Sequence, residues 1–240
     1  MDRSLKERTP PMQEQHTTSP FAFAEKSLLA ALPKRIIATD EDLAKIKLPG
    51  YRYDAIHHAV LRMYEQTNAC IIPLPILDIV NGMGCSIIPY RSFGQRIHDV
   101  LMQASPDAVT LQFIGSVRPA ILYNDRQPSG RINFSILHEI GHIQLDHKEP
   151  SQLAELEANH FAAVALCPLD LLEHYNISEP KTVIDLFSVS DDCARNRLRA
   201  LNNSRNVPRS TARLQFRRAV IERFQFKRPP QINLFGDYVF

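Results

Sequence analysis

Residues 138–142 read His-Glu-Ile-Gly-His, and this pentapeptide constrains the chain more than any other stretch. Its histidines are four apart, so on an α-helix they share a face, about 6 Å apart along the axis, and direct ring nitrogens at one point. Neutral imidazole is a good zinc ligand, and three protein ligands plus one water leave zinc catalytically open. Glu139 is rotated about 100° from His138 around the axis, where its carboxylate reaches that water instead of the metal. The spacing therefore asks for a helix that presents two ligands and a base from one turn.

The flanking residues say where such a helix sits. Over about Arg131 to Leu145, Ile132, Phe134, Ile136, Leu137, Ile140 and Ile143 make it apolar on most sides, which predicts burial. Against that background Ser135, His138, Glu139 and His142 form one polar stripe. Buried charge needs a partner, and here a metal is the natural one. The alternative is a pair of hydrogen-bonded core histidines beside a surface glutamate.

A third ligand has to come from elsewhere. The next helix, within "SQLAELEANHFAAVALCP", offers Glu155, Glu157 and His160. Glu155 shares its face with Asn159, Ala162 and Leu166, whereas Glu157 shares one with Phe161 and Val164. Burial pattern does not separate the two glutamates.

The two segments together, H-E-I-G-H followed closely by E-L-E-A-N-H-F-A-A and a proline, resemble the ImmA/IrrE family of zinc metallopeptidases over roughly residues 53–202. The resemblance implies one Zn²⁺ per chain, held by His138, His142 and Glu155, with Glu139 as general acid and base. It implies that Asn159, one turn beyond Glu155, hydrogen-bonds a ligand and fixes its orientation. His147 reads as a helix-end residue and not as a fourth ligand. The substrate it implies is a specific protein, a helix-turn-helix transcriptional repressor of a phage, mobile element or stress response. In zincin-like folds the strand before the motif helix commonly presents an edge to an extended substrate, so residues 119–123 are expected to line the cleft. Tyr123 is then a candidate oxyanion or substrate contact, with packing as its alternative role.

Around this centre the pattern reads as helices, then strands, then helices, which is α+β. Ile56, Ala59, Val60 and Met63 recur at helical spacing after Tyr53, and "PILDIVNGMG" forms a second helix ending at glycines. "CSIIPY" and the two runs flanking Gly-Ser-Val-Arg-Pro in "AVTLQFIGSVRPAILYND" read as strands, the last two as a hairpin, giving a small antiparallel sheet. Short helices near Lys181 to Phe187 and Asp191 to Leu201 complete a domain of residues 51–202. Residues 1–50 form an N-terminal extension with a loose tail, and residues 203–240 a basic C-terminal extension whose last twelve residues are apolar and suited to docking.

Net charge is only +2, but residues 195–228 hold ten arginines and one lysine against a single glutamate, which leaves −8 for the remainder. One reading of this stretch is a DNA-contacting helix-turn-helix, with Ser190 as N-cap and Arg195, Asn196 and Arg199 exposed, followed by a basic arm. The other is a helical pair that covers the core while its arginines are solvated or pair with the acidic remainder, and the resemblance favours that. No run approaches the length needed to span a membrane, and Cys70, Cys85, Cys167 and Cys193 form no C-x-x-C pair, which fits reduced thiols in the cytoplasm. The rival to an enzyme is a regulator that binds a repressor or DNA through the same fold without cutting anything.

Overall fold

The computed structural model describes residues 45–226 apart from 113–117 and 206, together with residues 32, 42 and 43 and the backbone of 231–232 and 238–239. The loose N-terminal tail, the tip of the hairpin and most of the apolar C-terminal tail lie outside the described residues. The chain runs through α1 (Gly50–Gln66), β1 (Ile71–Ile72), α2 (Ile76–Gly82), β2 (Ser86–Pro89) and α3 (Gln95–Ala104), then β3 (Ala108–Leu111) and β4 (Ala120–Tyr123). Six helices follow: α4 (Ser129–Gln144), α5 (Gln152–Leu166), α6 (Leu169–His174), α7 (Pro180–Phe187), α8 (Asp191–Ser204) and α9 (Thr211–Arg223). β5 (Gln225–Phe226) returns to pair in parallel with β1.

The sheet is mixed, not antiparallel as the sequence suggested. β3 and β4 form the expected antiparallel hairpin with Thr110 opposite Ile121, but β2 lies parallel to β4 on its other side, giving the order β2-β4-β3. The reason is α3, which carries the chain from β2 across to β3 and reverses its sense before the hairpin. β4 is therefore the middle strand. Its run of Ala120, Ile121 and Leu122 is buried on both faces: Ile121 joins the main core, while Ala120 and Leu122 pack with Tyr90, Leu101, Val109 and Leu111 under α3. A strand covered on both faces reads as continuously apolar instead of alternating.

The main core joins α1, α2 and α4 to α9. Phe216 and Val220 of α9 and Phe224 just after it sit in the same cluster as Ile56, Val60, Leu137 and Phe161, so the helix after residue 203 shares the core of the helices before it. Two glycines set close approaches. A Cβ on Gly141 would stand 3.1 Å from the buried Phe161 ring, so glycine there lets α4 and α5 come together. A Cβ on Gly130 would stand 2.8 Å from the backbone of Val189 and Ser190, the turn that leads into α8. In that turn Ser188 adopts φ 53° and the Ser190 hydroxyl accepts from Cys193 N at 3.2 Å, the cap expected from the sequence. No helix among the described residues is long and apolar enough to cross a membrane.

Candidate metal centre

α4 carries His138 and His142 on the stripe that faces α5, whose start is fixed by the Ser151 hydroxyl accepting from Ala154 N at 3.0 Å. That cap places Glu155 in the first turn of α5, opposite the two histidines. The His138 and His142 Nε2 atoms are 3.0 Å apart, and they lie 3.2 and 3.6 Å from Glu155 Oε2 and Oε1 respectively. A tetrahedral zinc with bonds of 2.0–2.1 Å separates its ligand atoms by about 3.3 Å. The three side chains stand at the edges of such a tetrahedron, and one ligand atom from each lies within 4.8 Å of the others.

The protons on the rings agree with this geometry. His138 Nδ1 lies 2.8 Å from Asn159 Oδ1, an acceptor, so the ring proton is on Nδ1 and the Nε2 lone pair faces the centre. Asn159 is thus placed to orient the His138 ring. His142 Nδ1 lies 2.9 Å from His147 Nδ1, and His147 Nε2 lies 2.9 Å from Glu157 Oε2. Burial pushes His147 below its ordinary pKa, so it is a neutral imidazole with one proton to place. A proton and a metal ion compete for the same converging atoms.

Glu139 is 2% exposed and occupies the neighbouring edge of the helix. Its Oε2 accepts from both Thr110 N and Thr110 Oγ1 at 2.8 Å, so β3 orients the carboxylate. Sequence reasoning does not single out Thr110; its signal, a polar residue in an apolar strand, is weak. A cavity of about 390 Å³ opens beside the centre, bounded by Thr110, Gln112, Pro119, Glu139, His142 and Glu155 among others. A second, of about 610 Å³, opens on the far side of His138 between Phe134, Asn159 and α8.

The cleft strand differs from expectation. β3, not β4, faces the centre, because β2 and β3 occupy both edges of β4. Of residues 119–123 only Pro119 lines either cavity, and Tyr123 packs against the main core and lines neither. Glu157 also finds its place. Two positions along from Glu155 it is turned about 200° away, and its buried carboxylate holds His147 on one oxygen and accepts from Arg52 at 2.8 Å on the other.

Residues 85–199 match the model of the IrrE N-terminal-like domain, a peptidase M78 family. Over these residues the chain is similar to the ImmA/IrrE family. Its function is accordingly of the metallopeptidase type, and the matched segment contains His138, Glu139, His142, Glu155 and Asn159. No curated protein and no solved structure matches the chain significantly. The ImmA/IrrE segment starts after α1 and ends before α9, yet both helices pack on it and on each other.

The basic stretch pairs largely within the fold. Arg213 and Arg217 of α9 lie 2.9 and 3.8 Å from the fully buried Asp170 of α6; Arg209 and Arg217 both bind Glu173, and Arg197 donates to Cys167 O at the end of α5. Arg195, Asn196 and Arg199 are exposed on α8 as expected, with Arg195 paired to Asp191 and Arg199 to Asn196.

Proposed function

We propose that the protein is a zinc-dependent endopeptidase that cuts a specific protein partner, a helix-turn-helix transcriptional repressor, in the cytoplasm. The observation that carries the reading is the convergence of His138, His142 and Glu155 at tetrahedral spacing with Glu139 on the adjoining edge. Zinc held there would polarise a scissile carbonyl and make a water acidic enough to attack at neutral pH. The chain's own residues supply the rest. Glu139, aimed by Thr110, accepts a proton from the attacking water and passes it to the departing amine nitrogen. The outer edge of β3 supports the binding of an extended substrate segment by strand addition across the cleft. The repressor as substrate rests on the family resemblance.

The test begins with metal content. One zinc per chain in the wild type, absent from His142→Ala and Glu155→Ala but retained by Glu139→Gln, is the expected pattern. Co-expression with repressors encoded in the source genome, read by mass spectrometry, should then give fragments with the wild type and intact repressor with Glu139→Gln. A Glu139→Gln variant that relieves repression as well as wild type would replace the protease by a regulator that acts by binding.

A further inference from the structure

We infer that His147, Glu157 and Arg52 form one relay whose task is to decide which nitrogen of His142 faces the metal point. The inference rests on the metallopeptidase reading and extends it to three positioning residues, one of them outside the family-matched segment.

An unconstrained histidine side chain in water favours the proton on Nε2, the atom that His142 must present as a lone pair. Something has to hold the proton on Nδ1. The structure supplies it in four steps. Arg52 of α1 donates to Glu157 Oε1 at 2.8 Å and holds that carboxylate, only 4% exposed at the side chain, in place. Glu157 Oε2 can only accept, so His147, 2.9 Å away, places its single proton on Nε2. His147 Nδ1 is then a lone pair, and at 2.9 Å it can only accept from His142 Nδ1. His142 Nε2 is left unprotonated toward His138 and Glu155.

The backbone brings His147 to that position. α4 ends with Asp146 in the left-handed region at φ 55°, with Asp146 N bonded to Ile143 O and His147 N bonded to His142 O at 3.0 Å. This paired six-to-one and five-to-two closure turns the chain back over the last helical turn. The His147 ring is thereby brought against that of His142 edge to face, with ring centroids 5.0 Å apart. Glu157 approaches from α5, two residues beyond the ligand Glu155. The relay therefore ties α1, the end of α4 and the ligand helix to one proton position.

Groups that fix ligand tautomers are typically worth a factor of about 10–100 in metal affinity. Nitrogen-15 NMR of the metal-free, histidine-labelled protein gives a readout independent of activity. Wild type should show His142 with its proton on Nδ1, and His147→Phe should move it to Nε2. Zinc affinity, measured by competition with a chromophoric chelator, should fall about 10–100-fold in His147→Phe and in Glu157→Ala. Glu157→Gln, whose amide oxygen still accepts from His147, should recover most of the loss, and it serves also if the bulkier changes perturb the fold. His147→Phe with wild-type zinc affinity and an unmoved His142 proton would overturn the relay. A wild-type chain that takes up no zinc would instead sink the metallopeptidase reading, and the tautomer measurement would still decide the relay.

Discussion

Two buried polar clusters lie on opposite sides of α5 and are built on opposite plans. At the candidate metal centre the outward-facing Nδ1 atoms of His138 and His142 are held by Asn159 and His147, so the ring protons point away from the middle and three acceptor atoms converge. At the rear, between α6, α9 and α1, Asp170 and Glu173 meet Arg209, Arg213 and Arg217, while His57 Nε2 accepts from Arg213 at 2.9 Å. There charge is answered by charge inside the protein. A cluster that balances itself holds the fold together; one that collects lone pairs at a point is shaped for a cation. The comparison predicts that front and rear substitutions damage different properties.

The largest separation should come from Glu139→Gln. Removing a general base typically costs about 10²–10⁴-fold in rate. Turnover on the partner found by co-expression should drop by that amount, while thermal melting of the metal-loaded protein stays near wild type, because the amide oxygen of the substituted side chain can still accept from Thr110. A variant that unfolds instead would show that Glu139 is structural and erase the contrast.

Asp170→Ala should do the reverse. It leaves Arg213, with a side chain 17% exposed, without the carboxylate 2.9 Å away, and breaking a buried pair in this way costs about 3–5 kcal/mol. Urea titration should show the loss, with zinc still bound at one per chain below the transition. Loss of zinc from the folded fraction would mean that the rear cluster positions the ligands.

Acid should attack the rear cluster too. His57 and His160 are pushed down to about 3, by burial first and then by Arg213 for His57 and Arg197 for His160. His160, His58 and Arg197 also bear on His57 in the same direction. Both rings are neutral in the fold but regain ordinary values near 6.5 on unfolding. Between about pH 6.5 and 3 the unfolded chain binds more protons, so stability present at neutral pH falls as pH falls through that window, by on the order of a few kcal/mol. Melting of metal-free wild type from pH 7 to 4 should show this. His57→Phe should flatten the dependence, and an equally steep variant would assign the acid sensitivity elsewhere.

The front was far more legible in the sequence than the rear. Helical spacing alone placed His138, Glu139 and His142, and the family resemblance chose Glu155 over Glu157, because the reason for that choice is a rotation of about 200° that faces Glu157 toward His147. Thr110 could not be found, since its contact joins residues 29 apart through a sheet whose order was unknown. α3 escaped because its inward stripe is narrow, Leu101 flanked by the polar His98. α9 escaped for a sharper reason: its inner face is Arg213, Phe216, Arg217 and Val220, and arginines read as solvent-facing until Asp170 appears beneath them. Pattern reading detects convergence within one helix and misses charge balance between three.

Gly141→Ala probes the seam between the two clusters. The new methyl would sit 3.1 Å from a Phe161 ring that is fully buried and has little room to give. Overpacking of this kind costs about 1–3 kcal/mol, and pushing α5 outward would also move Glu155 relative to the histidines. Stability and zinc affinity should therefore fall together, unlike the front and rear variants, which separate them. A fall in stability alone would mean that α5 yields at Phe161 without shifting its first turn.

The smallest effect is expected at Tyr123. Sequence position, at the end of the strand before the motif helix, made it a candidate for stabilising the oxyanion. The strand order removes the basis for that role, since β4 is held between β2 and β3 and the ring packs on the core while Thr110 of β3 faces the centre. Tyr123→Phe should therefore keep turnover within about twofold of wild type, far from the roughly 10²-fold loss that follows removal of an oxyanion donor. A loss of that larger size, with zinc content unchanged, would place the Tyr123 hydroxyl in the reaction and require the end of β4 to approach the cleft when substrate binds.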